Sequence, residues 1–445
     1  MGSAMKSKKQ TYFDLIESLI KSPNKEAQIA ILKSKGKRID DDFADFLRKW
    51  ATKIIAEKNF RQARDIIINI FNFSNLIQEF PLGSKSSNME IAIAGYEVVL
   101  KIFNRYDDPE KWGDIQNSLG NAYTGRIKGE RQDNLEKAIA FYEAALEVHT
   151  RPAFPQEWAG TQNNLGEAYR SRIKGERGEN IEKAIAFYEA ASEVYTRAAF
   201  PEQWAMTQDS LAIAYSDRIK GERGENIEKV IAFYEAALQV FTRDAFPQQW
   251  AGTQHNLAIT YYNRIKGERG ENIERAIAFY EAALQVRTRD AFPQDWAATQ
   301  NNLAIAYSDR IKGDRGENIE RAIAFFEAVL QVRTRDAFPQ DWAGTQNNLG
   351  EAYRNRIQGD RGDNLERAIT FYEAALQVCT RQAFPQDWAV TQNNLAIAYS
   401  DRIKGDRGDN LERAIAFYEA ALQVYTRDAF PQDWAMTQNN LADAY

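Results

Sequence analysis

The sequence predicts an all-α solenoid of antiparallel helix pairs preceded by a helical cap. Three observations predict it. Trp112, Trp158, Trp204, Trp250, Trp296, Trp342, Trp388 and Trp434 follow one another at a fixed interval of 46 residues, and a fixed period of this size marks a stacked repeat architecture. Each interval holds two stretches with apolar residues at helical spacing. No stretch alternates apolar and polar residues between turn signals, so no strand is expected. The chain has 445 residues, too many for one ordinary core unless the core is propagated by repetition.

The repeat from Trp158 serves as the example. Its first helix opens at Pro155, whose fixed φ and missing N–H suit the first helical position. Glu157 follows at the positive helix end. Trp158, Leu165, Ala168, Tyr169 and Ile173 supply the apolar stripe. Gly175 and Gly178 are expected to end this helix, and Asn180 to cap the second. The second helix carries Ile181, Ala184, Ile185, Phe187, Tyr188, Ala191 and Val194. Short links make the two helices antiparallel neighbours.

Seven complete repeats run from Trp112, and a truncated one begins at Trp434. Upstream, Glu90–Trp112 aligns with Glu136–Trp158, so a degenerate repeat precedes the regular ones. The expected organisation is a cloning scar at 1–5, a helical cap or docking region at 6–85, and the repeat array at 86–445. Because the last repeat stops within a first helix, a longer parent protein is expected.

Composition narrows the function classes. Hydrophobic residues make up 44%, which favours a folded chain over a disordered one. Lys plus Arg (57) and Asp plus Glu (63) interleave, for a net charge of −6; no basic footprint for nucleic acid results. No apolar run is long enough to span a membrane, and the N-terminus lacks a signal-peptide core. The single cysteine, Cys379, excludes an intrachain disulfide and suits a reducing, cytoplasmic setting. His149 and His255 are the only histidines and occupy different repeat positions. No catalytic triad, metal cluster or cofactor site is expected. His149 is expected at the surface or an interface. The "GERGEN" and "GDRGDN" loops carry two acids each and do not suit phosphate.

The pattern resembles the tetratricopeptide repeat through Leu165, Gly166 and Tyr169 in the first helix and Ala184, Tyr188 and Ala191 in the second. These positions recur with few changes: Ala212 for Gly, Val230 for Ala, Phe326 for Tyr and Val329 for Ala. Small residues let helices approach and aromatics fill the remaining space. The period of 46 exceeds the family's usual length of about 34, and the extra residues fall in the two links. A looser likeness links such arrays to those preceding a caspase-like CHAT protease domain, although no protease residues are present.

The resemblance implies a right-handed superhelical solenoid with first helices lining a concave groove. Carried over through Leu165, the groove takes Gly160, Asn163, Asn164, Glu167, Arg170 and Ser171, with equivalents in every repeat. The Asn164 position holds Asn256, Asn302, Asn348 and Asn394, but Ser118 and Ser210 elsewhere. The resemblance implies that these amides form a ladder for the backbone of an extended peptide; the alternative is that each is bonded to a neighbouring helix. The Glu167 position alternates between acids, as at Glu351, and isoleucines such as Ile259; the Arg170 position holds Tyr262 and Arg354. Arg170 and Arg354 suit partner carboxylates, unless Glu167 and Glu351, three residues away, neutralise them. The expected function is a non-enzymatic scaffold binding a peptide or protein in this groove. The alternatives are a structural or self-associating spacer and the sensor arm of a CHAT-type protease outside the chain.

Overall fold

A computed structural model describes residues 2–22, 24–35 and 39–445. Met1 of the expected scar lies outside these, and Gly2–Met5 belong to the first helix. All regular elements among the described residues are α-helices. Five helices come first: α1 (Gly2–Ile20), α2 (Lys25–Lys35), α3 (Asp41–Glu57), α4 (Phe60–Glu79) and α5 (Lys85–Val99). The regular repeats supply α6 (Pro109–Gly125), α7 (Arg131–Leu146), α8 (Pro155–Arg170), α9 (Arg177–Ser192) and α10 (Pro201–Ser216). They continue through α11 (Arg223–Ala237), α12 (Pro247–Tyr262), α13 (Arg269–Leu284), α14 (Pro293–Ser308) and α15 (Arg315–Leu330). The last are α16 (Pro339–Arg354), α17 (Arg361–Leu376), α18 (Pro385–Ser400), α19 (Arg407–Ala421) and α20 (Pro431–Ala444).

The chain divides into two compact bodies, Met1–Glu222 and Arg223–Tyr445. In each, a first helix packs against the second helix of its own repeat and against its neighbours in the stack. First helices of successive repeats also touch, as α6 does α8 and α12 does α14. Second helices of successive repeats make no comparable approach among the described residues, so the first helices form the inner face of each stack. The helix α4 pairs with α5 as α6 pairs with α7. The degenerate repeat therefore has a first helix inside the stretch expected to be cap.

The links differ from expectation in a physically instructive way. α8 ends at Arg170 and α9 already begins at Arg177, so Gly178 lies inside the second helix. Asn180 is not its cap. It sits in the first turns, 3% exposed, and its Nδ2 donates to the Lys174 carbonyl at 2.9 Å. That bond satisfies a link carbonyl that would otherwise be buried without a partner, and it recurs at Asn134, Asn272, Asn318, Asn364 and Asn410. Ile173, expected in the apolar stripe, is 57% exposed in the link.

The exchange of "GER" for "GDR" is not neutral. Asp314, Asp360 and Asp406 accept from the backbone N–H groups of Glu317, Asp363 and Asp409; Glu176 and Glu268 in the same position make no such cap. The shorter carboxylate has the reach for N3. Gly175 holds φ +83°, and a Cβ there would make only ordinary contact with Asn180, 3.9 Å from its Oδ1. Gly175→Ala is therefore expected to cost about 1–2 kcal/mol through backbone strain alone, measurable as faster hydrogen exchange in α9.

Seven arginines staple each first helix to the preceding second helix. Arg126, Arg172 and Arg218 in the first body grip Glu90, Glu136 and Glu182; Arg264, Arg310, Arg356 and Arg402 in the second grip Glu228, Glu274, Glu320 and Glu366. Nε and Nη2 each meet one carboxylate oxygen at 2.6–2.9 Å. The planar fork fits the carboxylate, which gives register as well as attraction. Each guanidinium also covers a tyrosine, as Arg172 does Tyr169 at 5.2 Å.

Candidate functional site: the inner face of the first helices

The letters that differ between repeats are coupled through one buried tyrosine. In α8 the missing Cβ of Gly166 lets the Tyr188 ring lie where a methyl would be 2.6 Å from its Cε1. The hydroxyl then donates to Glu167 at 3.3 Å. The same packing joins Gly350, Tyr372 and Glu351 (3.2 Å) and Gly120, Tyr142 and Asn121 (2.8 Å). Repeats with Ala212, Ala258, Ala304 and Ala396 carry Ile213, Ile259, Ile305 and Ile397 next to them. Glycine and the polar neighbour thus form one arrangement, alanine and isoleucine the other, and only the truncated last repeat, with Ala442 before Asp443, departs from both. Burial pushes the Tyr188 and Tyr372 hydroxyls above their ordinary pKa and keeps them donors.

The expected carboxylate-binding arginines are already paired. Arg170 Nη2 meets Glu167 at 2.9 Å, and Nη1 lies 3.4 Å from Asp217 of the next repeat. Arg354 meets Glu351 at 2.6 Å and approaches Asp401 at 3.8 Å. Tyr262 replaces the arginine in α12 and donates its hydroxyl to Asp309, with Arg269 over its ring at 4.6 Å. One interaction, first helix to following first helix, is thus built from an arginine twice and a tyrosine once.

The amide files are partly spent between repeats. Asn164 donates to Asn117 at 3.0 Å, Asn348 to Asn301 at 3.4 Å and Asn394 to Asn347 at 3.2 Å. Asn163 donates to Thr207 at 2.8 Å, while its own oxygen is buried without a partner. Asn302 receives a 3.5 Å contact from Asn301 and lies beside the Tyr280 hydroxyl. The Asn256 side chain makes no hydrogen bond among the described residues and stays half-buried. Each ladder amide bonded through one N–H keeps a second N–H and a carbonyl. Gln162 is 7% exposed and belongs to the interior, with its oxygen unpartnered. Ile259 is half-buried.

His149 is interior and His255 is half-buried. His149 is 1% exposed, which corrects the surface expectation: its ring fills the space left by Gly113, where a Cβ would lie 2.4 Å from Nε2. Gly113 and the position's other occupants, Tyr195 and Phe241, were the available signal. His255 Nδ1 meets Thr299 Oγ1 at 3.0 Å. Burial first, and then the Arg287 charge, pull its pKa down to about 4, so it is neutral at pH 7. Among the described residues no His, Cys, Asp and Glu group could hold a metal ion, and no helix is long and apolar enough to cross a membrane. A cavity of about 500 Å³ between α2 and α4 presents Asn69, Asn72, Asn75 and Gln28. Asn72 lies 92 residues, two periods, before Asn164; sequence reading missed it because α4 lacks the tryptophan.

Comparison with known proteins agrees with this architecture. The tetratricopeptide repeat profile matches residues 250–290, and the Sel1 repeat profile matches 116–147, 160–193, 297–328, 343–377 and 389–423. The comparison with curated proteins returned no match. A signal transduction ATPase with numerous domains and a tetratricopeptide repeat sensor, from Pyrococcus horikoshii, superposes with TM-score 0.55 at 12% identity. The similarity covers 98% of this chain and 65% of that one, so the chain spans about two thirds of that protein. BtubC from P. vanneervenii is 22% identical over 57% of this chain and 92% of its own, with TM-score 0.41. A Rap protein complexed with competence and sporulation factor is 11% identical over 91% of this chain and 98% of its own, with TM-score 0.43. The last two add nothing to the fold assignment.

Proposed function

For a chain that is a repeat protein of the tetratricopeptide type, we propose protein–protein recognition on the inner face of its first helices, without catalysis of its own, in the cytoplasm. The ligand is an extended peptide or protein segment. The observation that carries this reading is the half-buried amide file of the second body at Asn256, Asn302, Asn348 and Asn394, whose position Asn164 fills in the first body. A donor and an acceptor held on rigid helices suit a peptide backbone whatever its side chains. Ile259 and its equivalents offer apolar contacts between those rungs. Glu167 with Arg170, and Glu351 with Arg354, present closed ion pairs, which select by shape more than by net charge.

The hydrogen bonds from Asn348 and Asn394 to the preceding repeat favour a second reading, in which the amides only brace the stack and the array is a spacer. The test is capture from a lysate of the source cells by the parent and by an Asn256→Ala, Asn302→Ala, Asn348→Ala, Asn394→Ala variant of verified helicity. The expected result is a partner held by the parent and lost by the variant. Equal capture by both, or concentration-dependent self-association with no partner, assigns the amides to the spacer role. Asn256→Ala alone separates the readings further, since it breaks no side-chain hydrogen bond among the described residues.

A further inference from the structure

One inward-facing position changes chemistry from repeat to repeat. Counting by 46 from His149, it holds Tyr195, Phe241, Arg287, Arg333, Cys379 and Tyr425. The side chain leaves the end of a second helix and inserts beneath the first helices. In two consecutive repeats of the second body it is a cation. Arg333 is 13% exposed at its side chain. Its Nε is buried with no acceptor, and its nearest carboxylate, Asp341, is 3.8 Å away and half exposed. Arg287 donates to the Thr299 hydroxyl at 3.1 Å and has no carboxylate within 4.0 Å among the described residues. It reaches through to the first-helix layer: its Nη2 stands 3.7 Å from where a Gly252 Cβ would be. A cavity of about 50 Å³ opens beside it, lined also by Gln248, Phe292 and Asp295.

The contrast with the seven stapling arginines is sharp, for each of those has a whole carboxylate. Partly buried charge with incomplete compensation is costly, and here burial drives both guanidinium pKa values down, offset only in part by Asp295 beside Arg287 and Asp341 beside Arg333. His255, neutral beside Arg287, supplies no counter-charge. A packing role alone is served in sister repeats by tyrosine, phenylalanine or cysteine at no such cost.

We propose that Arg287 and Arg333 form an oxyanion-binding pair in the second body that takes the carboxylates of an acidic segment of the bound partner. The proposal rests on the recognition reading above and gives it a ligand class. Arginine's fork presents paired donors to a carboxylate, and neighbouring repeats read successive acidic side chains of one extended segment.

The test uses the whole chain, a fluorescein-labelled glutamate-rich peptide, its glutamine counterpart and inorganic phosphate as competitor. The variant is Arg287→Tyr with Arg333→Phe, borrowed from sister repeats so that the core stays filled; Arg287→Gln with Arg333→Gln serves as the second. The parent is expected to bind the acidic peptide in preference to the glutamine one, and either double variant to lose more than about tenfold in affinity for it. Equal affinity in parent and variants, or no preference for the acidic peptide, overturns the pair. So does a parent that is stabilised by phosphate but does not favour the acidic peptide, which would mark a site for free oxyanions. A cellular partner captured equally by parent and arginine variants, yet lost by the asparagine variant, overturns this pair and leaves the recognition reading standing.

Discussion

Tyr188→Ala is expected to destabilise its repeat by about 3–5 kcal/mol, the usual cost of deleting a buried aromatic ring. The ring is 1% exposed and packs directly on the Gly166 backbone, so its removal leaves a void that neither helix can fill with its own side chains. Tyr188→Phe keeps the ring and removes only the donor to Glu167, for a loss of about 1 kcal/mol; Phe326 already occupies this position in another repeat. The measurement is native-state hydrogen exchange across α8 and α9, because a repeat array opens locally and one global midpoint would average the effect away. Equal losses in the two variants would show that ring packing is not what holds the pair. The Phe variant should also free Glu167 to pair more fully with Arg170.

The second large effect concerns the staples. Glu274→Ala leaves the partly buried Arg310 fork without its acceptor and is expected to cost about 1.5–3 kcal/mol, as for other hydrogen bonds to charged groups. Hydrogen exchange in α13 and α14 should rise and that in α18 should not, since stability in such arrays is carried by nearest neighbours. The same staples predict acid sensitivity. Hydrogen bonds from Arg172, Arg218, Arg264, Arg310 and Arg402 hold Glu136, Glu182, Glu228, Glu274 and Glu366 below their ordinary value of 4.5. A carboxyl lowered in the folded state contributes fully above its unfolded pKa and is lost as pH falls through the folded one. Helicity followed by circular dichroism should hold from neutral pH to about 4.5 and then decline, earlier in the Glu274→Ala variant. A parent with the same profile as the variant would remove the staples from the acid transition.

Much of the fold was legible because its determinants are local. Pro155 marks a helix start, Trp158 fixes the period, and Leu165, Tyr169, Ala184 and Tyr188 face inward at the spacing that two packed helices require. All of these act within a turn or two of their own backbone, where sequence pattern and conformation are tied. The placement of Asn180 failed for the opposite reason. Asparagine before an apolar run is a good cap by local chemistry, but here a buried link carbonyl six residues earlier competes for its amide and wins.

The candidate site was legible as a set of positions and not as a set of roles. Glu167, Arg170 and Tyr262 stand where the repeat pattern puts them, yet whether they meet a partner or each other depends on Asp217 and Asp309, 47 residues on from Arg170 and Tyr262. The signal that could have found the coupling was in the sequence: Gly120, Gly166 and Gly350 are each followed by a polar residue, and Ala212, Ala258, Ala304 and Ala396 each by isoleucine. Reading it requires knowing that Tyr188 lies across the glycine, a contact made 22 residues away.

By itself the sequence determined a repeated pair of helices and their antiparallel direction, because helix formation and burial follow from the spacing of apolar side chains along one element. Only the tertiary structure decided that Asn164 spends an N–H on Asn117, that His149 fills a glycine's space, and that Arg287 and Arg333 are cations without a full counter-charge. Each of those outcomes is a competition among groups from different helices for the same donor, acceptor or volume, and such a competition is settled only when packing brings the helices together.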